Sequence, residues 1–331
     1  MISSYERQYM SILEKIYEEG YADGANERTG VVTKRLPGCV IQVDVEQEFP
    51  ILKSKQVFGK TAQREIEWIW KQQSNNIHDL NAHIWDEWVD EDGSIGKAYG
   101  YQMAKPVTVF KDPVHKTDES FRSYTNQAEY VIEMLREDPS TRWCVATLWN
   151  PQELRDMNLV PCCHTSTWNL DGGRLNCVLD QRSGDMPYGV PFNTTQYAIL
   201  MCMIAKELGV KPGLLTHVIA DAHIYDRQMK GVELQLMYYD LMKEYHMTHS
   251  VEELIPSVEK LFKWTDENPE YKQDWWQNDP MVVAQRVKDA WECNPHFVID
   301  TDKSFFEYDA NSCRIEDYTS MGKIEFGDIV V

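Results

Sequence analysis

Residues 159–193 read LVPCCHTSTWNLDGGRLNCVLDQRSGDMPYGVPFN. A cysteine pair follows Pro161, and a strand-like run leads to Asp171-Gly172-Gly173, a turn signal. The chain then returns to Gln181-Arg182-Ser183, Asp185 and Pro191-Phe192-Asn193. A hairpin closed at that turn predicts that Cys162 and Arg182 lie side by side. The adjacency has chemical weight. A free thiol with a pKa of about 8.5 is only a few per cent thiolate at pH 7, and a neighbouring guanidinium raises that fraction. Small buried apolar side chains are nevertheless the ordinary fate of free cysteines, so the pair by itself does not define a nucleophile.

The chain of 331 residues is long enough to bury a substantial core. Its 43% hydrophobic and 26% charged content belongs to an ordered protein. The longest apolar run, Tyr197 to Ala205, is about half of what a membrane span needs. No secretory signal opens the sequence, which reads as cytoplasmic. Eight cysteines show no CxxC pair and no zinc-ligand spacing, so neither a disulfide framework nor a metal site is expected. The formal charge of −20 argues against nucleic acid and anionic membrane as partners. If the substrate is an anion, a few arginines must reverse the sign locally.

Periodicity predicts mixed α and β structure. Residues 4–20 place Tyr9, Ile12, Leu13, Ile16 and Tyr17 on one helical face, stopped by Gly20. Val40–Val45 alternates as a strand; Gly59–Ser74 reads as one helix with Ile66, Ile69 and Trp70 inward, and residues 122–137 as another. Thr194–Leu208 is apolar nearly all round, as in a buried central helix. Val218–Tyr225 reads as a strand, on which His223 and Tyr225 point to one side. Residues 238–294 are rich in Trp, Tyr and acid and carry helical stretches at 251–262 and 281–293.

Pro161-Cys162, Gln181-Arg182-Ser183-Gly184-Asp185, Pro191-Phe192-Asn193 and Asp221-Ala222-His223-Ile224-Tyr225 resemble the motifs of thymidylate synthases, in order and at that family's spacing. Phe49–Lys55, the segment Ile84-Trp85-Asp86-Glu87-Trp88 and the Arg28-Thr29-Gly30 loop add to the resemblance. It covers about residues 5–237 and resumes at 294–331. The intervening 238–294 reads as a helical surface insertion in a single catalytic domain spanning 1–331. The fold this implies is α+β, a mixed twisted sheet with flanking helices, paired sheet to sheet in a homodimer.

The resemblance implies reductive methylation of deoxyuridylate (dUMP) to thymidylate with 5,10-methylenetetrahydrofolate as cosubstrate. Cys162 is the implied nucleophile at pyrimidine C6, because an ungapped count back from Arg182 aligns it with the family's reactive thiol. Cys163 then occupies a position where many members have histidine. Glu65 would organise the water network that moves protons at O4, and Tyr99 would help remove the C5 proton. Asn193, with both a donor and an acceptor, would read the O4 and N3–H edge of uracil, where an aspartate would favour cytosine. Arg28, Arg182 and, across the dimer interface, Arg142 would hold the phosphate; Trp143 stands where the family has a further arginine. Gln181 and Ser183 belong to the same nucleotide-binding motif, and His223 with Tyr225 would hold the ribose 3′-hydroxyl. Asp185 and Trp85 would contact the folate, and Val331 with its carboxylate would close over the ligands. Two other readings stay open at this point: a deoxyuridylate or deoxycytidylate hydroxymethylase of the same fold, and a nucleotide-binding homologue that has lost catalysis.

Overall fold

The structure, a computed structural model, describes residues 3–22, 30–80, 85–110, 121–307 and 310–327. Helix α1 (Ser4–Glu19) starts where the Ser3 hydroxyl accepts the Glu6 N–H and ends at Gly20, where a Cβ would lie 2.4 Å from the Ile16 carbonyl oxygen. Its apolar stripe, Tyr5, Tyr9, Leu13 and Ile16, is fully buried. Strand β1 (Tyr21–Ala22) pairs with β2 (Thr33–Asp44), which precedes α2 (Gly59–Glu67).

The single helix expected over 59–74 is divided. After α2 the backbone widens into a π-helical turn, Trp68–Gln72, and Gln73 adopts a left-handed φ of 55°. A tertiary contact overrides the local period here: the carbonyl of Ser74 packs so tightly on Gly100 that a Cβ there would approach it to 2.0 Å. Such π turns concentrate at functional sites, and this one begins three residues after Glu65.

Helix α3 (Gly100–Met103) leads into a hairpin of β3 (Val107–Phe110) and β4 (Phe121–Tyr124), followed by α4 (Gln127–Glu137). The helix expected over 122–137 therefore begins five residues later. Residues 121–124 pair with β3, and the Asn126 side chain caps α4 by accepting the Glu129 N–H at 2.8 Å.

The main sheet takes β5 (Val145–Thr147), β6 (Cys163–Asp171), β7 (Arg174–Gln181) and β8 (Gly184–Asp185), then, beyond α5 (Gly189–Leu208), β9 (Lys211–Tyr225). Its order is β1-β2-β9-β7-β6-β5, with β8 alongside β9. Strands β6 and β7 are antiparallel through Gly172 (φ 57°) and Gly173 (φ 76°), the two left-handed positions that a tight primed turn requires. Strand β9 runs parallel to β7 and β8, which sets Gln181 beside Ile219 and Asp185 beside His223. One face of this mixed sheet is covered by α5 and α1, with Ile41, Leu179 and Leu215 fully buried. The opposite face carries Val40, Val145 and Leu214, exposed at 51%, 39% and 37%.

Helix α6 (Met229–Thr248) spans the start of the 238–294 segment, and α7 (Ile255–Glu267) and α8 (Pro280–Glu292) pack against it. Val258, Leu261, Val283 and Val287 are completely buried, so these helices share one apolar core with Tyr238 and Leu241. A short ladder of β10 (His296–Ile299) and β11 (Cys313–Glu316) follows. No described helix is long and apolar enough to cross a membrane.

Candidate active site

The β6–β7 hairpin brings its two ends together. The Arg182 N–H donates to the Cys162 carbonyl at 3.0 Å, and Arg182 Nη2 lies 3.9 Å from Cys162 Sγ. The guanidinium is aimed by two more carbonyls, Pro161 O at 3.1 Å from Nε and Val160 O at 2.7 Å from Nη2. A cation so oriented favours the thiolate of Cys162. Cys162 is half-buried, whereas Cys163 points inward, is 5% exposed and donates its thiol to Gln181 Oε1. Burial pushes the Cys163 thiol well above its ordinary range, which leaves it inert.

Tyr99 sits over the Cys162 backbone: its hydroxyl accepts the Cys162 N–H at 3.2 Å. Its own backbone, with φ 43° and ψ −102°, is strained for a residue with a side chain. Its ring meets Trp85 edge-on at 4.9 Å, and the Trp85 indole N–H donates to Glu65 Oε2 at 3.2 Å. Burial raises the Glu65 carboxyl to about 7, with the neighbouring Gln196 amide and the Trp85 hydrogen bond offsetting part of that rise. Gln196 also accepts the Asn193 amide at 3.0 Å. Asn193 and Gln196 are thus joined by a hydrogen bond, with Gln196 beside the buried Glu65 carboxyl.

The third side is built by Asp185. Gln228 Nε2 donates to both of its oxygens at 3.2 and 3.0 Å, and the Tyr188 N–H adds a third bond at 3.2 Å. Burial still raises its carboxyl, opposed by His223, Gln228, Tyr188 and Lys55. Lys55 is itself buried, which lowers its ammonium to about 8; it donates to Pro187 O and lies 5.6 Å from the Tyr188 ring and 4.9 Å from that of Phe326. His223 and Tyr225 share a side, their rings edge-on at 5.0 Å, as the strand period predicts.

Residues 7–267 match the thymidylate synthase family. The chain belongs to this family. A thymidylate synthase of Clostridium beijerinckii is 43% identical over 238 residues, 71% of this chain and 82% of that protein. One of Bacillus mojavensis is 36% identical over 245 residues, 71% of this chain and 84% of that protein. Among solved structures, thermostable thymidylate synthase A from Bacillus subtilis superposes with a TM-score of 0.70 at 27% identity, covering 97% of this chain and 98% of that one. The α+β fold and the family are thus as the motifs implied.

Of the residues that the resemblance singled out, Cys162, Arg182, Tyr99, Trp85, Glu65 and Asn193 are linked through the contacts above, and Gln181, Ser183, Asp185, His223 and Tyr225 follow on adjoining strands and turns. Gln181 Nε2 donates to the Ser183 carbonyl at 2.8 Å. Arg142 and Trp143 are exposed just before the start of β5, beside Asp138, Met134 and Phe110, on a groove distinct from these contacts. Arg28 and Val331 lie outside the described residues. Among the described residues no group of three or more His, Cys, Asp or Glu is arranged to hold a metal ion. Four buried polar residues at the family site had no assigned role from sequence: Lys55, Gln196, Gln228 and His217. A glutamine in the apolar run of α5, one turn after Asn193, was the visible signal for Gln196. His217 required the fold. It is wholly buried, held neutral because burial lowers it to about 3, and bonded to Gln181 Oε1 at 2.7 Å and Thr194 Oγ1 at 3.0 Å.

Proposed function

We propose that this chain catalyses the reductive methylation of dUMP to thymidylate with 5,10-methylenetetrahydrofolate as the one-carbon and hydride donor. The observation that carries it is the Cys162–Arg182 contact, joined through Tyr99 and Trp85 to the buried Glu65. Cys162 adds to pyrimidine C6, which makes C5 nucleophilic and develops charge on O4. Asn193 and the water held by Glu65 stabilise that charge. After C5 bonds to the folate methylene, Tyr99 directs removal of the C5 proton, and the bond from the methylene to folate N5 breaks to leave an exocyclic methylene on the ring. The folate supplies the hydride that completes the methyl group, leaves as dihydrofolate, and Cys162 departs as thiolate.

Arg28 and Arg182 hold the phosphate together with Arg142 of a second subunit, docked sheet to sheet. The uncovered face bearing Val40, Val145 and Leu214 supports this pairing, since an exposed apolar sheet face calls for a cover. His223 and Tyr225 take the ribose, and Gln181 and Ser183 line the phosphate turn. Asp185 and Trp85 offer the pterin an acceptor and an aromatic wall. Val331 closes the site, and residues 238–294 are a helical insertion within the one catalytic domain.

Purified protein supplied with C5-tritiated dUMP and methylenetetrahydrofolate is expected to release tritium, form dihydrofolate and give a methylated nucleotide by mass. Release with a hydroxymethylated product and no dihydrofolate would instead establish a hydroxymethylase. No release would leave a nucleotide-binding homologue.

Asn193→Asp is expected to shift preference from deoxyuridylate towards deoxycytidylate by about 100-fold or more in relative kcat/KM, because an ionised acceptor opposes the uracil edge. Competition between the two nucleotides, followed by tritium release, measures the ratio; an unchanged ratio would remove Asn193 from base recognition.

A further inference from the structure

The 238–294 segment donates no residue to the Cys162–Glu65–Asn193 constellation, yet it grips the last described stretch of the chain. Residues 317–327 have no helix or strand of their own, so side-chain and backbone contacts alone fix their path. On α8, half-buried Arg286 donates from Nε to the Ser320 carbonyl at 2.6 Å, and its guanidinium lies 5.6 Å from the Trp275 ring. The indole N–H of Trp275 is buried against Gly322: a Cβ there would lie 3.0 Å from Nε1, and the φ of +92° favours glycine.

The other side of this strap is held by residues 53–56. Lys53 O accepts the Met321 N–H at 2.8 Å, and the Gln56 N–H donates to the Gly322 carbonyl at 2.8 Å. The Lys53 ammonium donates to Cys293 O at 2.5 Å, just past the end of α8, and the Cys293 thiol donates to Thr319 O at 3.3 Å. Residues 319–322 therefore occupy a slot with the inserted helices on one wall.

Four residues beyond that slot, Phe326 is completely buried. Its N–H donates to the Tyr188 hydroxyl at 3.0 Å, and Tyr188 donates onward to Gly327 O at 2.8 Å. Its ring packs on Gly231, where a Cβ would approach to 2.5 Å, and lies 4.9 Å from the Lys55 ammonium. Tyr188 is also a donor to Asp185 through its N–H. Contacts thus run without a break from Trp275 and Arg286 to the Asp185 side of the cleft.

We propose that Trp275 and Arg286 are positioning residues: they fix the strap at 319–322, seat Phe326 over Lys55 and Tyr188, and so govern capture of the reduced-pterin cosubstrate while leaving nucleotide binding alone. This rests on the methylation reading in one respect, the assignment of the pterin to the Asp185 side.

The test uses the full chain with Arg286→Met, Arg286→Lys and Gly322→Ala. KM for methylenetetrahydrofolate is expected to rise about tenfold in Arg286→Met and Gly322→Ala, the loss of roughly one charge-assisted contact, with dUMP affinity by direct binding within about twofold of wild type. Arg286→Lys keeps a donor and is expected to recover part of the loss. Amide exchange at Met321 and Phe326 is expected to speed by about tenfold in Arg286→Met, with Trp168 and Leu179 unchanged. Equal weakening of both substrates, or a lowered Tm with unchanged KM and unchanged exchange, would overturn the proposal. The exchange readout needs no turnover. Faster exchange in a chain that fails the tritium assay would uphold the clamp and overturn the methylation reading; unchanged exchange overturns the clamp whatever the assay gives.

Discussion

Replacing Cys162 with serine is expected to lower kcat for dihydrofolate formation by about four orders of magnitude or more, the scale on which an enzyme loses rate when its covalent nucleophile is removed. The argument is local. Cys162 combines a half-buried thiol with a guanidinium at 3.9 Å, whereas the Cys163 thiol faces Gln181 in the interior. Intact-mass measurement separates the two without relying on turnover. With a fluorinated deoxyuridylate and methylenetetrahydrofolate, the wild-type chain is expected to accumulate a covalent adduct, Cys162→Ser none, and Cys163→Ser the adduct in full. Cys163→Ser places a hydroxyl where a thiol was buried, so its stability falls while its chemistry persists. An adduct in Cys162→Ser, or its loss in Cys163→Ser with the fold intact, would move the nucleophile elsewhere.

The Cys162–Arg182 adjacency was legible in the sequence because its determinants are local. Gly172 and Gly173 supply the two left-handed positions of the turn, and the alternating strands on either side fix the register that returns Arg182 to Cys162. The second half of β9, Val218–Tyr225, was legible for the same reason, and with it the shared side of His223 and Tyr225, whereas its first half, from Lys211, was not. The ordered motifs carried the family. What was not legible depends on contacts between distant segments. The π turn after Glu65 follows from the approach of Ser74 to Gly100, and the late start of α4 from the pairing of β4 with β3. Likewise the burial of Lys55 beneath Phe326 joins residues 271 positions apart (326 − 55). Periodicity reports only which face of an element is apolar; it carries no information about the partner that face will meet.

Glu65 shows how such a partner changes the chemistry of an ordinary residue. On an amphipathic helix a glutamate is commonly solvated, but here the packing of Trp68, Trp85 and Tyr99 encloses it, and burial raises its carboxyl to about 7. A group at that value can give a proton to O4 and take it back near neutrality, which an ordinary carboxylate does poorly. Glu65→Gln keeps the shape and removes the proton transfer, so kcat is expected to fall by about 10²–10⁴-fold. In the wild type kcat is expected to decline as pH rises through about 7, where the donor ionises, and the variant is expected to lack that limb.

The effect of Glu65→Gln on stability should run opposite to its effect on rate. The folded state holds the Glu65 proton up to about 7 while an unfolded chain releases it at the ordinary value of 4.5, so the carboxyl's favourable contribution is complete below 4.5 and is lost as pH rises to about 7. Above that window the buried charge costs roughly 3 kcal/mol, a penalty that glutamine does not carry. Chemical denaturation at pH 8 is therefore expected to find Glu65→Gln more stable than wild type by roughly 2–3 kcal/mol, with the difference vanishing towards pH 4. A variant that is slower yet more stable at high pH would identify Glu65 as a residue held in a costly environment for its proton. Equal or lower stability at pH 8 would mean that solvent reaches the carboxylate and that the proton transfer belongs to another group.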